Sequence, residues 1–152
     1  MQQTKISAAR LRPDFAVFNE IGIIAQLSRA RLERTLPQGM TSAQYAVLNH
    51  FSRRGGEETP AQLASAFQIT KGAMTNTLQK MEAQGYVRIV PHGVDGRKKL
   101  VSITAEGVIA HERGILALRP YLTQLREAFT DAEFEALLPM LSALRVWLDE
   151  NR

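Results

Sequence analysis

From Pro13 to about Leu36, apolar side chains recur at Phe15, Phe18, Ile21, Ile24, Ala25 and Leu32, with Ser28 continuing the spacing. This is close to the period of about 3.6 residues that marks an amphipathic helix. Pro37-Gln38-Gly39 ends it. Thr41-Ser42-Ala43-Gln44 then has the form of a capping box, a threonine followed three residues later by glutamine. It opens a helix to about Arg53 with Tyr45, Leu48 and Phe51 on one side, and Gly55-Gly56 closes that helix.

Thr59-Pro60-Ala61-Gln62 is a second start signal, with proline at the first helical position, where its missing N–H does no harm. The short helix it opens should bury Leu63, Ala64 and Phe67 and give out near Gln68-Ile69. Thr70 caps a further helix that runs to about Gln84, where Gly85 stops it. Two short helices joined by so tight a turn are a helix-turn-helix candidate.

The period then changes. Val87-Arg88-Ile89-Val90 and Leu100-Val101-Ser102-Ile103 are short β-branched runs around a glycine-studded tip that ends in Arg97-Lys98-Lys99, which reads as a β-hairpin. Thr104 caps a helix from about Ala105 to Leu118; Pro120 should perturb it before the helical pattern continues to Phe129. Thr130-Asp131-Ala132-Glu133 is a third capping box. Its helix carries Phe134, Leu137, Leu138, Leu141, Leu144 and Leu148 as an apolar stripe, with Pro139 expected to bend it or remove a hydrogen bond. The fold class expected is mainly α with one small β-hairpin.

The terminal helices are too apolar to bury easily in one small lobe, and pairing them with the same helices of a second chain would bury them. A monomeric bundle using the same stripes for its own core is the alternative. Three regions follow: a dimerisation helix with its arm (1–38), a central domain (39–104) and C-terminal helices completing the dimer body (105–152).

The chain has 152 residues and no cysteine, so disulfides, thiolate metal sites and thiol redox sensing are excluded. It contains no apolar run long enough for a transmembrane helix. The first ten residues lack the apolar core of a signal peptide and read as a short frayed arm. A cytoplasmic protein with no membrane partner is expected.

The net charge of +4 matters less than its place. From Arg53 to Lys99 there are eight basic residues (Arg53, Arg54, Lys71, Lys80, Arg88, Arg97, Lys98, Lys99) against four acidic ones (Glu57, Glu58, Glu82, Asp95). The remainder carries equal numbers of each sign, so the whole excess lies in the middle third. A polyanion is the partner this suggests; a merely solvated basic surface is the bland reading.

On the helix opened by Thr70, Met74, Leu78 and Met81 share the inward face. The opposite face carries Gly72, Thr75, Asn76 and Gln79, flanked by Lys71 and Lys80, with no carboxylate until Glu82. Asn and Gln can bridge adenine edges in a major groove, Thr can touch a thymine methyl, and Lys meets phosphate. Gly72 would allow close backbone approach. In the hairpin, Gly93 and Gly96 free the turn, and Pro91 with the charged tip discourages further strand pairing. Arg97 is narrow and long enough to enter a minor groove. Asp95 would hold its guanidinium or brace the loop, and Lys98 and Lys99 would neutralise phosphates.

The three histidines (His50, His92, His111) have no metal-ligand spacing, and no phosphate loop or nucleophile motif is present. An enzyme, a metal and a cofactor are therefore not expected. A helix-turn-helix and hairpin that bind protein instead of DNA stay open as a second class of function, although such a hairpin need not carry the whole net charge.

Residues Thr70 to Gly107 resemble the MarR family of bacterial transcriptional regulators. The resemblance rests on Leu78-Gln79-Lys80-Met81-Glu82-Ala83-Gln84-Gly85-Tyr86-Val87-Arg88 and on Asp95-Gly96-Arg97 leading into Ile103-Thr104-Ala105-Glu106-Gly107. Glu82, Gly85, Arg88, Asp95, Arg97, Thr104 and Gly107 keep the family pattern, while Met81 and Ile103 depart from it mildly; the helix order extends the likeness to the whole chain. It implies a winged helix-turn-helix and an intertwined helical homodimer on pseudo-palindromic double-stranded DNA, usually a repressor released by a small ligand. By the same analogy an effector would lie between dimer body and DNA-binding lobe, with Phe18, Tyr45, His50, Phe51, His111 and Arg113 as candidates, each of which is also explicable as plain core or surface. Oxidant sensing through cysteine is excluded.

Overall fold

Threonine hydroxyls begin five successive helices. The computed structural model describes residues 12–151, and the frayed arm expected over the first ten residues lies outside them. The elements are α1 (Pro13–Thr35), α2 (Ser42–Arg54), α3 (Pro60–Ala66), α4 (Lys71–Ala83), β1 (Val87–Pro91), β2 (Lys99–Ile103), α5 (Ala105–Ala128) and α6 (Asp131–Glu150). Thr41, Thr59, Thr70, Thr104 and Thr130 are the N-caps of α2 to α6, each accepting from the backbone N–H three residues on. Thr41, Thr59 and Thr130 complete the capping box with Gln44, Gln62 and Glu133. Such caps stabilise a helix by about 1 kcal/mol each. The Glu133 carboxyl is held below its ordinary value by the Thr130 backbone N–H and then by the Thr130 hydroxyl.

Pro120, expected to perturb its helix, and Pro139, expected to bend its own or remove a hydrogen bond, both sit inside continuous helices, α5 and α6. A proline removes one backbone donor and crowds the carbonyl four residues earlier. For Pro120 that is the carbonyl of Leu116; both residues are exposed, and water can serve a carbonyl left without its donor. The helical pattern expected to continue past Pro120 does so as one element, α5 running unbroken to Ala128.

The turn between α3 and α4 is made by Gln68 at φ +52°. Ile69 N–H donates to Ala64 O at 3.0 Å and Gln68 N–H to Ser65 O at 3.2 Å, the paired bonds of a Schellman stop. Gln68 thus holds a left-handed position usually given to glycine, and its side-chain amide donates to Ser65 O at 2.7 Å. The same stop closes α4, with Gly85 at φ +78° and Tyr86 N–H on Met81 O at 2.9 Å.

β1 and β2 pair antiparallel, from Val87 opposite Ile103 to Pro91 opposite Lys99. The loop after α2 adds an isolated bridge that the pattern did not announce: Glu58 exchanges two backbone hydrogen bonds with Val101, at 3.1 and 2.9 Å. The core lies under this sheet and between α2, α3 and α4. Leu48, Phe51, Leu63, Met74, Leu78, Met81, Val47 and Val101 are its fully buried side chains. Phe67 is half-buried at its edge.

The other helices are a contrast. No residue of α1 or α6 is buried. Phe15 is 67% exposed, Leu138 62% and Trp147 61%. These stripes face solvent in the single chain, far beyond the scattered apolar surface of an ordinary monomer. No helix among the described residues is long and apolar enough to cross a membrane.

Candidate nucleic-acid interface

Met74, Leu78 and Met81 are buried and fix the roll of α4, so the positions between them must face outward. Thr70, Lys71, Gly72, Thr75, Asn76, Gln79 and Lys80 are all exposed. A Cβ at Gly72 would meet nothing within 4 Å. The Thr70 hydroxyl is already engaged as the cap acceptor for Ala73 N–H at 3.2 Å. Beside α4 lies a groove of about 1190 Å³, lined among others by Lys71, Thr75 and Gln79 from α4 and by Arg97, Lys98 and Lys99 from the hairpin. Lys71, Thr75 and Gln79 thus border one space with the basic tip, while Gly72, Asn76 and Lys80 do not line it.

The C-terminal turn of α4 is fastened to the hairpin. Glu82 Oε1 accepts from Ile89 N–H at 3.1 Å. Glu82 lines the groove as well, but that bond ties one of its oxygens to the base of the hairpin. At the next corner the Thr104 hydroxyl donates to Gly85 O at 2.5 Å, and Thr104 N–H donates to Tyr86 O at 3.1 Å. Gly107 lies directly against this corner: a Cβ there would run into the Tyr86 carbonyl oxygen and come within 2.8 Å of Ile103 Cγ1.

At the tip, Asp95 Oδ1 accepts from Arg97 N–H at 3.1 Å. Of the two roles open to Asp95, the backbone brace is the bond formed in the structure. Arg97, Lys98 and Lys99 are exposed.

Pattern reading did not find the contribution of α3. Thr59, Pro60 and Gln62 line the far side of the groove; their capping signature marked a helix start but could not say what lay opposite. Nor did it single out His92, whose ring nitrogen Nδ1 accepts from Val94 N–H at 3.2 Å and Asp95 N–H at 3.3 Å. A polar residue two and three positions before backbone donors in a Gly-rich turn is the signal that could have done so.

The six effector candidates include two touching pairs, Tyr45 with His111 and His50 with Phe51. Phe51 is buried in the core, and Phe18 is exposed on α1. His50 is buried, with Nε2 at 2.7 Å from Glu58 Oε1 and its ring beside Phe51 and Phe67. His111 is buried and stacks on Tyr45 with ring centroids 5.4 Å apart. Its Nδ1 lies 3.1 Å from the Ser52 hydroxyl and its Nε2 3.3 Å from Asn49 Oδ1. Burial lowers its pKa, Glu112 acting weakly the other way, while burial raises that of Tyr45. Arg113 is exposed and 4.0 Å from Glu106. Two smaller hollows beside α1, of about 600 and 440 Å³, contain none of these six residues. Among the described residues no cluster of three or more His, Asp or Glu could hold a metal.

Residues 38–98, which include the helix-turn-helix and most of the hairpin, match the model of the MarR family. The transcriptional regulator HosA of Escherichia coli is 33% identical over 90 residues, 59% of this chain; the match spans 65% of the length of HosA. The multiple antibiotic resistance protein MarR of Salmonella typhimurium is 29% identical over 134 residues, covering 80% of this chain and 92% of that protein. Among solved structures, a mutant MarR from E. coli complexed with operator DNA superposes with a TM-score of 0.70 at 25% identity, over 86% of this chain and 94% of that one. Family model, relatives and architecture agree with the motif from Glu82 to Gly107 in their likeness to the MarR family.

Proposed function

We propose that the protein is a cytoplasmic transcriptional regulator that binds pseudo-palindromic double-stranded DNA as a homodimer and represses until a small ligand releases it. The observation that carries this reading is the groove bordered by the α4 face and by Arg97, Lys98 and Lys99. A duplex set against it would meet the hydrogen-bonding groups of Thr75 and Gln79 and the cations of Lys71, Arg97, Lys98 and Lys99, with Glu57 and Glu82 also on the lining; cations of this kind position the backbone while polar groups read the bases. The likeness to a MarR bound to operator DNA supports the same placement.

Dimerisation rests on the exposed stripes of α1, α5 and α6, with residues 1–38 and 105–152 forming the body and 39–104 the DNA-binding domain. A two-fold dimer would set its recognition helices about 34–36 Å apart, one turn of DNA. Repression and ligand release rest on family likeness alone, and an effector would act where the body meets the lobe.

Selection from a random duplex library with the purified protein tests the reading. The expected product is a two-fold symmetric site whose half-sites are one helical turn apart. Arg97→Ala should weaken binding to it by about 1–3 kcal/mol. Retention of no sequence at low salt would instead favour a wing that binds protein.

A further inference from the structure

We propose that His92 is the positioning residue of the wing: its imidazole Nδ1 acts as the acceptor that fixes the tip carrying Arg97 and Lys98. The inference rests on the reading of the wing as a DNA contact and adds to it the group that holds the wing in shape.

Beyond the last strand pair, Pro91 with Lys99, the loop is closed by His92 N–H on Lys98 O at 2.8 Å. Inside that closure two acceptors act in series. His92 Nδ1 takes the N–H groups of Val94 and Asp95, at 3.2 and 3.3 Å. Asp95 then takes Arg97 N–H on its carboxylate at 3.1 Å and Lys98 N–H on its carbonyl at 2.9 Å. A side chain accepting from the second and third following amides is the bond pattern of an Asx turn, with imidazole in place of the usual Asn or Asp. Because Nδ1 accepts twice, the neutral ring carries its proton on Nε2.

The tip needs such a device. Gly93 and Gly96 leave the backbone without a strong preference of its own. Val94 is 94% exposed, so no apolar anchor holds the tip down. A loop ordered only on contact with DNA would lose affinity to the ordering itself. His92 settles the path of Val94 and Asp95 beforehand, and Asp95 hands that order on to Arg97 and Lys98.

The test uses the duplex selected by the parent protein, with Arg97→Ala measured alongside. Loss of the two bonds in His92→Ala should weaken binding roughly five- to tenfold. Asn carries Oδ1 two bonds from Cβ, as Nδ1 is, so His92→Asn should bind within about twofold of the parent. Gln carries its acceptor one bond further out, and His92→Gln should behave like His92→Ala. In the free protein, amide exchange at Val94, Asp95 and Arg97 should quicken in the Ala and Gln variants and not in Asn. If Arg97→Ala binds weakly while His92→Ala matches the parent, the positioning role is overturned and the wing reading stands. If His92→Asn is as weak as His92→Ala, the ring acts by its own contact with DNA and the acceptor role fails. If Arg97→Ala binds as the parent does, the wing reading itself fails.

Discussion

The same substitution, glycine to alanine, should have opposite effects on stability at two helical positions. In an open helix, alanine is favoured over glycine by about 0.5–1 kcal/mol, because glycine loses more backbone freedom on folding. Gly72 is such a position, since a Cβ there meets nothing within 4 Å. Gly72→Ala should therefore raise stability by roughly that amount. Gly107 carries the same helical term, but its Cβ would land on the Tyr86 carbonyl oxygen and 2.8 Å from Ile103 Cγ1. The carbonyl cannot yield freely, since it accepts from Thr104 N–H at 3.1 Å, the cap residue of α5. Overpacking of this kind costs about 1–3 kcal/mol, so Gly107→Ala should be net destabilising by about 1–2 kcal/mol after the helical term is set against it. Thermal unfolding followed by circular dichroism separates the two: at about 2–4 °C per kcal/mol for a chain of this size, Gly72→Ala should melt higher and Gly107→Ala lower than the parent. A Gly107→Ala variant that melts at or above the parent would refute the close packing of α5 on the α4–β1 corner. The two should also part in DNA binding. If the α4 face meets the bases as proposed, the methyl of Gly72→Ala should weaken DNA binding while the protein becomes more stable.

Lys98→Ala and Lys99→Ala should each reduce the slope of log affinity against log salt by about one unit with little change in sequence preference; an unchanged slope in both would remove them from the phosphate contacts. His111 gives a pH dependence of stability. Burial lowers its folded-state pKa below the ordinary value of 6.5, so the unfolded chain binds the proton more readily. The stability it supports is fully present above that ordinary value and is lost as pH falls through the folded value, so the melting temperature of the parent should drop on acidification more steeply than that of His111→Gln. Equal slopes would show that His111 is not linked to folding. Gln68→Gly should stabilise by up to about 1 kcal/mol, because glycine adopts the left-handed turn position without steric penalty. Denaturant unfolding reads this, and a loss of stability would mean that the side-chain bond to Ser65 O outweighs the strain.

The parts legible from the sequence are those in which one residue type has one local job. A threonine followed by Gln or Glu at the third position marks a helix start because the reciprocal bonds need only four residues, and Thr41, Thr59 and Thr130 are placed this way. The inward face of α4 follows from Met74, Leu78 and Met81 alone. What the pattern could not supply depends on distant partners. The Glu58 bridge to Val101 joins residues 43 positions apart with no local signature. Pro120 and Pro139, each a perturbing residue taken by itself, sit in helices that continue through them. The roles of Asp95 and His92 turned on which donors the tip presents, and only the folded loop shows that both side chains accept backbone N–H groups.

Two glycines of α5 explain how a DNA-binding lobe can be tied to a helical body through one helix. Gly107 lies against the Tyr86 carbonyl, and Gly114 lies under the Tyr45 ring, where a Cβ would collide with the ring edge. Between them, buried Ala110 and His111 complete one face, with His111 bonded to Ser52 and Asn49 of α2. Close packing of this kind transmits displacement and does not absorb it. The first turns of α5 therefore travel with α2, α4 and the hairpin as one body. Beyond Gly114 the helix changes character: Ile115, Leu116 and Leu122 are exposed, and Pro120 removes one backbone bond. If the body of the proposed dimer is built from the exposed stripes, the second half of α5 would set the distance between the two α4 helices. If a small ligand releases DNA as proposed, it would have to favour one setting of this segment over another. Contacts with the lobe alone, which moves as a unit, would leave that spacing unchanged.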